Sequence, residues 1–162
     1  MRPFTAWHDT AADSPPTRTD YRGGVRETRG VTVTVPLIVV DAANVVGSRP
    51  DGWWRDRAGA ARRLLTQLSE WAQRHDDPPG ELVVVLEGAA KSASDPTNPQ
   101  LTGLRIVLAD GSGDDAIVDV VAAAADGDRS ITVVTADRGL RHRVEALGAT
   151  TGGPGWLRQH LP

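Results

Sequence analysis

Six acidic residues stand where a folded chain would gather them. Asp41 ends the apolar run Leu37 to Val40, and Glu87 ends the run Leu82 to Leu86. Asp110 follows Leu104 to Ala109, and Asp114 and Asp115 open the segment behind it. Asp137 comes two residues after Ile131 to Thr135. If these runs are parallel strands, their carboxyl ends share one edge of a sheet. Carboxylates crowded there resist ionisation unless a cation offsets them. Mg2+ or Mn2+ suits such a place, being a hard ion held by one or two carboxylates together with substrate phosphates. An ion of this kind polarises a phosphoryl oxygen and activates water. The chemistry that the residues point to is phosphodiester hydrolysis.

Other chemistries lack their residues. Cysteine is absent, which removes disulfides, thiolate metal sites and a cysteine nucleophile. His8, His75, His142 and His160 have no ligand spacing and form no Ser-His-Asp arrangement. No glycine-rich phosphate loop of the ATP or dinucleotide type occurs.

The elements that must position the acids follow from hydrophobic patterning. Continuous apolar runs suit strands buried on both faces. They predict strands at Pro36–Asp41, Leu82–Glu87, Leu104–Ala109 and Ile131–Thr135, with a short fifth at Ala149–Thr151. Trp54, Ala58, Ala61, Leu65, Leu68 and Ala72 recur at helical steps. Helices are also expected from about Asp114 to Ala125 and from Asp137 to Leu147, and a final turn at Trp156-Leu157. Residues 47–52 and 91–103 read as loops. The order β-α-β-β-α-β-α argues for a mostly parallel sheet of four to five strands covered by helices on both faces. Ligands then bind outside the carboxyl ends of the strands.

Three segments in this order resemble the NYN domains of the PIN-like nucleases. Val39-Val40-Asp41-Ala42-Ala43-Asn44-Val45 is similar to the opening D-x-x-N-V motif, and Ser112-Gly113-Asp114-Asp115-Ala116-Ile117 to the central acidic motif. Val133-Val134-Thr135-Ala136-Asp137-Arg138 is similar to the last motif. The resemblance runs from about Pro36 to Leu161. It implies a PIN-like three-layer α/β/α sandwich and RNA cleavage with Mg2+ or Mn2+. Asp41, Asp114 or Asp115, and Asp137 would be metal ligands, with Glu87 as a further one. Asn44 would hold the first carboxylate or the substrate. Asp119, one turn after Asp115, would be an outer ligand.

Each of these residues also has a structural explanation. Ser112 and Asp115 fit a helix capping box, which leaves Asp114 as the better ligand. Asp137 suits the first turn of a helix electrostatically. Trp54 lies on the core stripe, whereas Trp53 is a candidate for stacking on a base. Arg138, Arg55 and Lys91 are candidates for RNA phosphates, as are Arg57, Arg141 and Arg143. All of them also suit solvated helix faces.

The bulk properties set limits. The formal net charge of -3 counts against non-specific nucleic-acid binding, though not against an acid-lined site. Lys91 is the only lysine among many arginines, a bias typical of high-GC bacterial genomes. No apolar run is long enough to span a membrane and no secretory signal opens the chain, so the expected location is cytoplasmic. Residues 1–30 read as a disordered segment and residues 31–162 as one domain. The leading expectation is a metal-dependent ribonuclease. The competitors are a nucleoside-triphosphate pyrophosphohydrolase and an inactive PIN-like scaffold that binds RNA or protein. A homodimer is left open.

Overall fold

The computed structural model describes residues 25–28, 31–95 and 97–162. Strands β1 (Val25–Thr28) and β2 (Val31–Thr34) pair antiparallel as a sheet of their own. The rest of the segment expected to be disordered lies outside the described residues. The expected boundary at residue 30 falls between these two strands.

The main sheet is built from the apolar runs. Its strands are β3 (Leu37–Asp41), β4 (Glu81–Leu86), β5 (Leu104–Leu108), β6 (Ile131–Val134) and β7 (Thr150–Gly152), in the order β5-β4-β3-β6-β7. Every neighbouring pair is parallel. All five residues of β3 are buried, as the central position requires. β5 lies at an edge, and there Leu108 is left exposed.

The side chains of the sheet alternate between two apolar clusters. Ile38, Val40, Leu82, Val84, Leu86 and Val134 meet helices α1 (Ala42–Gly47), α2 (Arg57–Ala72) and α5 (Pro154–His160). Leu37, Val39, Val83, Val85, Ile131 and Val133 meet α3 (Gly113–Ala124) and α4 (Arg138–Glu145) on the opposite face. Three layers result. Each fully buried leucine, such as Leu65 or Leu68 of α2, contributes about 1.5–3 kcal/mol relative to exposure.

Several local expectations are corrected. Trp54 is 54% exposed and is not part of the core. Helix α2 begins at Arg57, because the carboxylate of Asp56 caps it by accepting from the Gly59 N–H. Extending the stripe backwards across that cap misplaces Trp54. Leu64 and Trp71 fill the core instead. Ser112 is the N-cap of α3, but its side chain makes no capping bond. The stretch 91–103 is not wholly loop, since 3-10 turns occupy Gly88–Ala93 and Pro99–Leu101. Finally, Ala42 to Gly47 coil into α1 directly after β3.

Candidate active site

Strand order decides where a ligand can enter. From β3 the chain runs outwards to β4 and β5, then crosses back through α3 to β6 on the other side of β3. The crossovers diverge between β3 and β6, which opens a crevice at their carboxyl ends. Asp41 ends β3 at this crevice, and Thr135 directly follows β6.

A hydrogen-bonded frame holds the crevice. Asp41 is 7% exposed and is the N-cap of α1. Its Oδ1 accepts from the Asn44 backbone N–H at 3.1 Å, and its Oδ2 accepts from the Thr135 hydroxyl at 2.9 Å. The same hydroxyl oxygen accepts from the Asp137 N–H at 3.1 Å. The Asn44 Oδ1 accepts from the Ala136 N–H at 2.8 Å. The Arg141 Nε–H donates to the Thr135 carbonyl at 2.9 Å. Asn44 is therefore a positioning residue, joining α1 to the turn after β6. Thr135 is the residue that the sequence reading missed. A lone hydroxyl at the buried end of an apolar strand, two residues before Asp137, was the available signal.

The remaining acids arrive from other elements. Asp137 caps α4, its Oδ1 accepting from the Leu140 N–H at 2.8 Å. Glu87 follows β4 and caps α3 from a distance in sequence, its Oε2 accepting from the Gly113 N–H at 2.6 Å. Glu87 thus supplies the cap that Ser112 was expected to give. The glycine at 113 leaves room for this approach, since a Cβ there would lie 2.7 Å from that oxygen and the Glu87 carboxylate would have to shift. Asp114, on the first turn of α3, makes no hydrogen bond among the described residues and is partly exposed.

Electrostatics bind these acids into one group. Burial pushes the Asp41 carboxyl above its ordinary pKa, against the bonds from Asn44 and Thr135, and the charges of Asp114 and Glu87 add to the rise. Asp114 is likewise raised, by partial burial first and then by Asp137 and Glu87, with Arg143 opposing. Asp41 thus lies within electrostatic reach of Asp114 and Glu87, and Asp114 within reach of Asp137 and Glu87. Asp115 turns away and pairs with Arg143 at 2.8 Å. Asp110 and Asp119 share a separate shallow cavity with Arg105 and Asp115. Among the described residues, no three carboxylates or imidazoles meet closely enough to hold a metal unaided. The oxygen-only donors and their mutual repulsion do suit a hard divalent cation, provided water and substrate phosphates complete its shell.

Of the proposed RNA contacts, Arg138 begins α4 and Arg55 ends a 3-10 turn, both exposed, and Lys91 lies half-buried after β4. None has a carboxylate partner among the described residues. Arg141 and Arg143 are already engaged, with the Thr135 carbonyl and Asp115.

No family model and no curated protein matches the sequence. Solved structures do. Rae1 (YacP) from Bacillus subtilis superposes with a TM-score of 0.60 at 17% identity, over 76% of this chain and 72% of that one. A tryptophan-to-leucine variant of the same protein gives 0.61 at 16% identity, over 77% and 74%. At such identities the likeness speaks to fold alone. Together with the five-stranded parallel sheet between two helical layers, it shows a three-layer α/β/α sandwich, consistent with the PIN-like fold expected from the sequence.

Proposed function

We propose that the chain is a metal-dependent ribonuclease of the NYN type, with Mg2+ or Mn2+ as its cofactor. One observation carries the reading: Asp41, Glu87, Asp114 and Asp137 come from four different elements to the carboxyl edge of a parallel sheet, where neighbouring acids add to the rise that burial gives Asp41 and Asp114. A buried carboxylate with further acids beside it makes sense where a cation will join them.

Asp41 and Asp114 would hold the ion, with Asp137 and Glu87 beside them. Bound there, the ion would polarise a phosphoryl oxygen and favour the attack of water on phosphorus. The chain's own residues prepare the place. Thr135 and the Asn44 N–H fix both oxygens of Asp41, so its orientation is set before substrate arrives. Asn44 holds the turn that carries Asp137. Arg138, Arg55 and Lys91 would take neighbouring phosphates of an RNA strand.

The test is calorimetric titration of Mn2+ into the wild type and Asp41→Asn, run beside an assay on labelled single-stranded RNA. Binding and cleavage that are both lost in the variant support the reading. Cleavage that persists in Asp41→Asn without added metal overturns it. A second reading, an inactive scaffold, is favoured by the absence of three converged ligands among the described residues. Wild type that binds RNA and neither binds Mn2+ nor cuts would establish it.

A further inference from the structure

Beside the acidic crevice lies a cavity of about 370 Å3 that no described side chain fills. Its lining is mostly small: Ala42, Ala43, Ala61, Gly88, Ala89 and Ala90. Trp53 and Arg57 form an aromatic and cationic wall, with the Arg57 guanidinium 5.5 Å from the centre of the Trp53 ring. Glu87 is also part of the lining, with its carboxylate bonded to the Gly113 N–H at the start of α3. The cavity and the acidic crevice therefore share Glu87, and Ala42 of the lining directly follows Asp41.

The position of Trp53 is enforced. The residue is half-buried, and its six-membered ring lies 3.6 Å from where a Cβ on Gly47 would stand. Trp54 meets it edge to face at 6.2 Å. Val46 also lines a smaller cavity of about 100 Å3 that includes Asp51 together with Arg49, Arg63 and Arg158. The two cavities thus adjoin at Val46, one with an aromatic wall beside small side chains and the other rich in guanidinium groups.

We propose that this cavity takes one base of a single-stranded RNA next to the phosphate that is cut. The proposal rests on the nuclease reading. A base is flat, neutral and polar at its edges. It can stack on tryptophan or on a guanidinium plane, as single-stranded nucleic acids do on proteins. The small floor leaves room for a ring, and the arginines beyond Val46 suit the next phosphates of the strand. Seating one base here would fix the distance from that nucleotide to the acids, so the pocket positions the cut rather than performing it.

The test measures anisotropy of a labelled RNA hexamer in EDTA, together with versions that each lack one base. The wild type should lose about five- to a hundredfold in affinity when one particular base, or one of two adjacent bases, is missing. Trp53→Ala should bind the intact strand correspondingly more weakly and no longer sense the missing base, and Trp53→Phe should restore most of the effect. Ala89→Trp, which keeps Trp53 and places a bulky ring at the lining, should weaken binding and the response to the missing base in the same direction. A flat profile across all positions in the wild type, a base dependence that survives in Trp53→Ala, or no binding at all would overturn the pocket. The two readings separate cleanly. Metal-dependent cleavage with a flat profile sinks the pocket alone. A base-specific profile that depends on Trp53, with no cleavage in Mg2+ or Mn2+, sinks the nuclease and keeps the pocket.

Discussion

The two ends of the central sheet treat charge in opposite ways. At the amino end, Glu81 opens β4 and meets the Arg129 guanidinium at 2.8 Å and that of Arg105 at 3.8 Å. The Arg129 side chain is only 10% exposed, and its Nη2 is paired with Glu81 while its buried Nε–H has no partner among the described residues. At the carboxyl end, none of Asp41, Glu87, Asp114 and Asp137 is in an ion pair among the described residues, although Arg143 draws the Asp114 carboxyl down. One end pairs its acid with arginines. The other holds Asp41, Glu87 and Asp137 by backbone N–H groups and the Thr135 hydroxyl, an arrangement that suits a cation. Both ends have the same strands behind them, so the backbone does not account for the difference.

The contrast can be broken from either side. The largest effect is expected from Asp41→Asn or Asp114→Asn. Each should cut RNA cleavage on the order of a hundredfold or more, because a metal supplies several kcal/mol of transition-state stabilisation. Single-turnover rates on a labelled strand would check this, and near-normal rates would place the chemistry elsewhere. Thr135→Val should come next. It leaves Asp41 Oδ2 and the Asp137 N–H without their partner, and groups that orient ligands cost roughly 10–100-fold in metal affinity or activity. A Mn2+ titration would read it, and Thr135→Ser should recover most of the loss.

Glu81→Gln breaks the compensated end. It should destabilise by about 1–3 kcal/mol, because the nearly buried Arg129 loses its charged partner, while cleavage stays unchanged. Thermal unfolding beside the cleavage assay separates the two effects.

The smallest effect concerns pH. A carboxyl whose pKa is raised by folding holds its proton more tightly when folded. Its contribution to stability is complete below the ordinary value of 3.8 and is lost as pH rises through the folded value. Metal-free Asp41→Asn cannot ionise there and should have a higher Tm than wild type near neutral pH. The gap should shrink as pH falls towards 3.8. A gap that widens on acidification would mean that Asp41 is stabilised as the anion, without need of a cation.

Much of the site was legible along the chain. Asp41 and Glu87 could be placed because a buried parallel strand needs an unbroken apolar run, and the first carboxylate after it must lie at the strand's end. Asp114 was preferred to Asp115 through a capping box that Ser112 does not form. Both acids open the same helix, and the position of Arg143 on α4 is what pairs Asp115 away. Trp54 was misplaced because helical periodicity says nothing about where a helix starts, and the Asp56 cap sets that start. Thr135 escaped notice because a hydroxyl gains its meaning only from the carboxylate it reaches, here 94 positions away in sequence.

The sequence alone thus determined the strands of the main sheet, their mostly parallel arrangement and the list of acids at its edge, because periodicity and strand ends are local properties. The tertiary structure decided the pairing of β1 with β2, which acids come within electrostatic reach of one another, that Glu87 rather than Ser112 caps α3, and that Trp53 borders an open cavity. Those outcomes depend on the strand order β5-β4-β3-β6-β7, which brings together residues that no local pattern connects.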